Sequence, residues 1–555
     1  MPLPPAMTEP SSRHFRADIA VIGGGVGGCA AALALADSGH RVVLTEEFAW
    51  IGGQFTSQAV PPDEHGWIER FGCTATYRRF RSAVRQYYRD NYPLTPAAAR
   101  DDRLNPGNGW VSPLCHEPRV ALAVLEAMLA PQVSSGRLNI LRQHRPVSVS
   151  LNGEDRIASV VLTDERTGST THVSASFFLD ATENGDLLPL ASVEHVTGSE
   201  SRRDTGEPGA PEEARPENVQ AFSLCFVVDG AGASDATDHL VPPPADYAHW
   251  RDDTPTLQPP WPGPLLAWRG LNPRTMAPMD YRFHPHGEKP GLFSGLWSFR
   301  RIVDRSLFRP GFFASDVCLI NWPMIDYLEG NLLGASHEDH RRHLAAARRL
   351  SLSMVHWLQT EAPRPDGGHG WPQLRLRPDI TGTDDGLAMA PYIREARRIR
   401  SLYTVVEADV SAACRPGESL AERYEDSVGI GYYRIDLHPT TGGDNYHDVA
   451  SLPFRIPLGA LVPVRIVNLL PAAKNIGTTH ITNGCYRLHP VEWNIGEAAA
   501  LLAVQCLRDK VTPQQVAGEN DRRAQLQENL RQRGVELAWP ENLNLDDGDP
   551  HAHAR

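Results

Sequence analysis

What this 555-residue sequence lacks narrows its class before any motif is read. It has no unbroken apolar run of about 18 residues, so no membrane-spanning helix is expected. Its eight cysteines include no C-x-x-C pair, which speaks against a zinc ribbon or a disulfide framework and suits free thiols in a reducing compartment. It has no basic run, and 54 Lys and Arg stand against 67 Asp and Glu for a net charge of −13. Such a chain is poorly suited to nucleic acid or an anionic membrane surface. The first 16 residues lack the apolar core of a signal peptide and read as a leader. There is no internal repeat of useful length. The expectation is a cytoplasmic globular protein, long enough for two domains.

What is present starts at Asp18. The apolar run Ile19–Ile22 enters Gly23-Gly24-Gly25-Val26-Gly27-Gly28, and a small-residue helix follows over Cys29–Ser38, ended by Gly39. A second apolar strand, Arg41–Thr45, delivers Glu46 and Glu47. This is a βαβ unit with a Gly-x-Gly-x-x-Gly turn. Gly23 allows the tight turn, Gly25 lets backbone approach a pyrophosphate, and Gly28, next to Gly27, lets helix and strand pack. The helix N-terminus offers free N–H groups to phosphate, and Glu46 is placed to accept from a ribose. A dinucleotide site is expected here.

Further elements follow. Helices are expected over Tyr77–Asp90, Glu117–Leu129 and Ser336–Glu361, the last capped by Ser336 and Asp339. Strands are expected over Leu138–Ser150, Ile157–Thr163, Thr170–Ser176, Phe177–Leu179 and Ala221–Val228, with a hairpin turn at Asn152-Gly153. Val241–Pro290, rich in Pro, Trp and His, reads as irregular loop whose tryptophans pack beneath it. His337, His340 and His343 share helical spacing and read as a solvated face rather than a metal site. After Asp509 a helix and a frayed acidic tail are expected, with His551-Ala552-His553 disordered.

Three segments resemble one family. They are the N-terminal turn with Ile51-Gly52-Gly53-Gln54, the loop Asp180-Ala181-Thr182-Glu183-Asn184-Gly185-Asp186, and Asn468–His480. Together they resemble the FAD-dependent oxidoreductases related to glucose-inhibited division protein A and the fumarate reductase flavoproteins. Pro391–Arg398 and Tyr433–His438 also look like family segments. The resemblance implies FAD as cofactor and an α/β fold: a Rossmann-like FAD-binding domain of glutathione-reductase type with an inserted α+β substrate domain. The expected boundaries are 16–220 and 455–512 for the FAD-binding domain, 221–454 for the substrate domain and 513–555 for a polar C-terminal tail. Besides the glycine turn, Glu46 and Glu47, the implied cofactor contacts are Gly53, Gln54, Asp180, Thr182, Gly185, Asn475, Gly477, Thr478, Pro490 and Asn494. Ala473, Lys474 and Glu183 depart from the family pattern.

The resemblance also places the N-terminus of a helix over Val491–Ala503 at the flavin pyrimidine ring. His480, Arg487 and His489 then flank the flavin, with His480 or His489 as base and Arg487 as an anion partner. His65, Cys73, Cys115 and His116 follow the Gly-Gly pair and are further candidates for the pocket; a covalent flavin link through His or Cys stays open. No metal site is expected. No second Gly-x-Gly-x-x-Gly follows an apolar strand, Gly230-Ala231-Gly232 being too short, and no C-x-x-x-x-C exists. The expected activity is oxidation of a polar small molecule by a dehydrogenase or oxidase, with oxygen, a quinone or a protein as acceptor. A flavin monooxygenase using external NAD(P)H and a tRNA-modifying flavoprotein are the alternatives.

Overall fold

The computed structural model describes residues 13–230, 238–285 and 295–549. Its centre is a five-stranded, wholly parallel sheet. The strands are β1 (Ile19–Ile22), β2 (Val42–Glu46), β3 (Leu138–Arg142), β4 (Phe177–Asp180) and β5 (Leu469–Pro471), in the order β5-β4-β1-β2-β3. β1, β2, β4 and β5 are buried throughout, as strands covered on both faces must be. The register aligns Ile22 with Asp180 and Asp180 with Pro471. The turns after β1, β4 and β5 therefore emerge side by side at the carboxyl edge, the place where open parallel sheets bind ligands.

Helix α1 (Val26–Asp37) starts at the glycine turn itself, because Gly27 and Gly28 extend it backward from the expected start at Cys29. It packs along α6 (His489–Asp509). Helices α2 (Ala75–Asn91) and α3 (Pro118–Ser134) cover the same side, α2 capped by Thr74 and α3 opening with Pro118. The Ser336 cap is also present, since Asp339 N–H donates to Ser336 Oγ at 3.1 Å at the start of α4 (His337–Thr360). A short helix, α5 (His480–Tyr486), precedes α6 and is capped by Thr479.

The run Leu138–Ser150 is two strands rather than one. Gln143 takes φ 58°, and the chain leaves the parallel sheet to start His144–Leu151, part of a second four-stranded sheet with Ile157–Asp164, Thr170–Ser174 and Arg13–Arg16. Arg13–Arg16 is thus a strand, paired parallel with Thr171–Ser174, and not leader. The expected Asn152-Gly153 turn forms, with Gly153 at φ 76°. Ala221–Val228 is interrupted into Phe222–Ser223 and Phe226–Asp229. The second of these pairs with Val317–Ile320 in a further antiparallel sheet. Beneath it lies a tryptophan-rich core including Trp250, Trp297, Trp322, Trp357 and Trp371. Between Asp509 and Asp549 the chain is packed rather than frayed: Pro513–Gly518 and Asn520–Gln532 are helical, and Leu526, Leu530 and Trp539 are buried. Met1–Ser12, Ala231-Gly232, the end of the 241–290 loop and His551–His553 lie outside the described residues.

Candidate active site

A cleft follows the carboxyl edge of the parallel sheet. It is lined by Glu46, Glu47 and Phe48 after β2, by Gly23–Gly25 after β1, by Thr182 and Glu183 after β4, and by Gln58, Ala388–Pro391 and Ile393. His340, Leu344 and Arg348 of α4 roof it. This role separates the three helix histidines: His340 faces the cleft, while His343 Nδ1 lies 2.9 Å from the Tyr327 hydroxyl.

The glycine turn is held by two bonds. Gly23 N–H donates to Thr45 Oγ1 at 3.1 Å, and Gly52 N–H donates to the Gly24 carbonyl at 2.7 Å. The second bond brings the Gly52-Gly53 loop against the turn, so a Cβ on Gly53 would lie 2.8 Å from Gly25 Cα. The cradle admits backbone only. Glu46 is 6% exposed, and burial raises its pKa to about 8 even though Phe48 N–H donates to its Oε1 at 2.9 Å. A carboxylate so desolvated has strong demand for hydroxyl donors. Gln58, whose side-chain oxygen and nitrogen are both buried without partners, offers a donor and an acceptor in the cleft lining. The residues fit an extended dinucleotide lying along the cleft.

The other expected contacts divide by geometry. Asp180 organises the loop, its Oδ1 accepting from Thr182 N–H and Oγ1 at 3.1 and 2.7 Å and its Oδ2 from Leu187 N–H at 3.1 Å. Gly185 takes φ 67° in that loop. Asn475 ties it to the turn after β5 by donating to the Asp180 carbonyl at 3.0 Å. Gly27 and Gly28 serve packing: a Cβ would lie 1.9 Å from the Ala472 oxygen and 2.0 Å from the Gly23 oxygen respectively. Gly477 and Thr478 lie apart from the cleft, packed against Ser401–Val405. Asn494 donates to the Val428 carbonyl at 3.2 Å, and Pro490 is buried as the second residue of α6. Gln54 donates to the Arg487 carbonyl at 3.1 Å and to Glu492 at 3.0 Å.

The departures from the family pattern form one cluster. Lys474 Nζ is wholly buried, 3.2 Å from Glu492 Oε1 and paired with Glu183. Burial raises the Glu492 pKa even though Lys474 opposes it. The Glu183 carboxylate sits 2.7 Å from where a Cβ of either Gly25 or Gly53 would be. A carboxylate therefore borders the cradle itself, with Lys474 as its counter-charge.

A second cavity is lined by Tyr281, Phe299, Arg300, Trp322, Asp436 and His438 among others. Its wall is bonded to the residues before α6. Arg487 donates to the Tyr392 hydroxyl at 3.0 Å and to Asp436 Oδ2 at 3.1 Å. Burial alone would lower the Arg487 pKa, but Tyr392, Asp436 and Asp63 hold it above the usual guanidinium value. Arg300 pairs with Asp63 at 3.4 Å, and Asp63 N–H donates to His489 Nδ1 at 3.1 Å.

The two histidines expected as base differ. His489 is fully buried, and burial together with Arg300 drives its pKa well down. A neutral ring that accepts at Nδ1 carries its proton on Nε2, so it offers a donor. His480 lies in another cavity, beside Glu207 and His447, with Nδ1 3.0 Å from Glu395. Burial would lower its pKa, but the Glu395 charge raises it above the ordinary value. His65, Cys73, Cys115 and His116 are buried and line neither the cleft nor the second cavity. Burial pushes both thiols up to about 12 and both imidazoles down to about 4.

Sequence reasoning passed over Asp63, Arg300 and Asp326, which are far apart in the chain and carry no local pattern, and Arg394 lay in the segment Pro391–Arg398, marked by resemblance but without a role. Asp436 and His438 lay in a segment marked by resemblance, without a role.

The profile of the FAD dependent oxidoreductase family matches residues 18–530. The chain belongs to this family. This FAD-dependent oxidoreductase takes FAD as its cofactor. No curated protein matches the chain. Among solved structures it is similar to L-proline dehydrogenase from P. horikoshii, at 17% identity over 35% of this chain and 26% of that one, TM-score 0.18. It is also similar to glycerol-3-phosphate dehydrogenase from Bacillus halodurans, at 14% identity over 39% and 40%, TM-score 0.23. A third is the flavin-dependent monooxygenase PieE, at 13% identity over 39% and 35%, TM-score 0.22. The chain thus spans less than half the length of each of these three. Among the described residues, no helix is long and apolar enough to cross a membrane.

Proposed function

We propose that this oxidoreductase is a dehydrogenase or oxidase that takes a hydride from a polar small molecule held in the second cavity. FAD, when bound in the cleft, supplies the two-electron acceptor. The observation that carries the reading is the bonded connection between cavity and cofactor cleft. Asp436 in the cavity wall binds Arg487, and the Arg487 carbonyl accepts from Gln54, next to the Gly52-Gly53 loop. Arg300, also in the wall, reaches His489 at the start of α6 through Asp63.

In this reading Arg487 and Arg300 stabilise negative charge where the substrate meets the cofactor. His489 gives Asp63 a fixed backbone position and offers an Nε2–H donor. Glu46 and Glu47 hold the ribose end of the cofactor, and Gly23, Gly25 and Gly53 hold its pyrophosphate.

The test is an anaerobic absorbance spectrum of the FAD-loaded protein, followed by NADH, NADPH and a panel of polyols, sugars, hydroxy acids and amino acids. Bleaching of the flavin bands by an organic compound supports the reading. Bleaching by NAD(P)H alone moves the protein to the monooxygenase class.

A further inference from the structure

Three arginines in the wall of the second cavity, Arg274, Arg300 and Arg434, each face an aspartate. Arg300 lies 3.4 Å from Asp63, Arg274 lies 3.5 Å from Asp448, and Arg434 is bonded to the same Asp448. An anionic ligand would have to compete with these internal carboxylates for its counter-charge. A hydroxyl group both donates and accepts, so it can bridge a guanidinium and a carboxylate without separating them. The Trp322 indole N–H and Arg300 Nε are buried donors without partners, and Tyr281 and Trp322 add aromatic faces. Aromatic faces combined with paired donors and acceptors suit a compound with apolar C–H faces and several hydroxyl edges.

The cavity also holds a histidine suited to deprotonate a hydroxyl. His438 Nδ1 lies 2.6 Å from Asp326 Oδ2. Asp326 is itself fixed by Arg394 at 3.0 Å and by the Ser223 hydroxyl at 2.6 Å. Arg394 and His438 hold the Asp326 carboxyl below the usual range despite its burial, so it accepts only. Burial and the Arg394 charge lower the His438 pKa, although Asp326 and Asp436 oppose them. A neutral His438 that donates from Nδ1 keeps its lone pair on Nε2. Its side chain is 20% exposed, and the ring of Tyr446 stands 5.6 Å away. This is the base-and-orienter arrangement of hydroxyl activation, and it differs from both His480 and His489.

We propose that the substrate is a neutral polyhydroxylated compound of the sugar or polyol class, and that His438, oriented by Asp326, is the base that takes its hydroxyl proton. The step balances. The O–H proton goes to His438 Nε2, the neighbouring C–H carbon gives up hydride to the bound FAD, and the C–O single bond becomes a carbonyl. Asp326 is a positioning residue. The inference rests on the dehydrogenase or oxidase reading.

The experiment uses FAD-loaded protein and two readouts. Calorimetric binding is measured for D-glucose, D-xylose, myo-inositol and glycerol, and for D-gluconate and D-glucuronate as anionic counterparts. Rapid-mixing absorbance measures the rate of anaerobic flavin bleaching. At least one neutral compound is expected to bind at least tenfold more tightly than the anionic ones and to bleach the flavin. His438→Asn retains an N–H toward Asp326. It is expected to bind the same compound within about threefold and to bleach about 100-fold or more slowly. Tighter binding by the anions, or no binding by any neutral compound, overturns the substrate class. Bleaching of the variant at the wild-type rate overturns the base. Bleaching by NADPH and by none of the six compounds overturns the underlying dehydrogenase or oxidase reading.

Discussion

At the scale of single residues, charge burial dominates this protein, and its consequences can be measured. His480 and Glu395 form a buried pair in which each holds the other charged: Glu395 is lowered to about 2, and His480 is raised above 6.5. The raised histidine contributes stability that is complete below its unfolded pKa and is lost as pH rises through its folded value. The lowered carboxylate contributes stability that is present above 4.5 and is lost as pH falls toward 2. The stability difference between wild type and Glu395→Gln is therefore expected to be largest between about pH 4.5 and 6.5 and to shrink on both sides. Thermal unfolding midpoints across a pH series check this; a difference flat from pH 3 to 8 would contradict it. Lys474 illustrates the same physics at the cofactor cradle. It is one of only three lysines in the sequence, and it is buried against two carboxylates. A lysine in that place is kept by its partners, since an unpaired buried ammonium would lose its charge.

At the scale of elements, the cradle depends on how closely α1 approaches α6 and the turn after β5. Gly27 and Gly496 face each other there, and a Cβ on Gly496 would lie 2.0 Å from the Gly27 oxygen. Gly496→Ala must push the helices apart, at a cost of about 1–3 kcal/mol. The shift moves the N-terminus of α1 away from the proposed pyrophosphate site. FAD affinity, read by flavin fluorescence titration, is expected to fall at least tenfold, while the protein remains folded by circular dichroism. Unchanged affinity would mean that the glycine contact is not what sets the cradle.

At the scale of the whole molecule, the segment after Asp509 is a structural strap. The Trp539 N–H donates to the Phe454 carbonyl at 2.8 Å, and its ring lies 5.5 Å from Trp67 and 5.4 Å from His65. It thereby joins the loop after the Gly52-Gly53 pair to the strand Phe454–Pro457. Trp539→Ala is expected to destabilise the fold by about 3–5 kcal/mol, read as a lowered unfolding midpoint that FAD restores only in part. A midpoint within a degree of wild type would show that the strap is dispensable.

The local parts of this protein were legible from sequence because their causes are local. The Ile19–Gly28 strand and turn, the acid ending β2, the Ser336 cap and the Asn152-Gly153 hairpin each depend on neighbours a few residues away. Their physics is turn sterics, free helix N–H groups and side-chain caps. The strand break at Gln143, the docking of residues 510–549 and the role of Arg13–Arg16 were not legible, because each depends on what distant segments leave to be covered. The candidate site divides in the same way. The cofactor cradle follows from a βαβ unit read in order, whereas Asp326, Arg394 and His438 meet only when three separate stretches fold together. Charge pairing and burial then set how readily each histidine takes a proton, and those exist only in the tertiary structure.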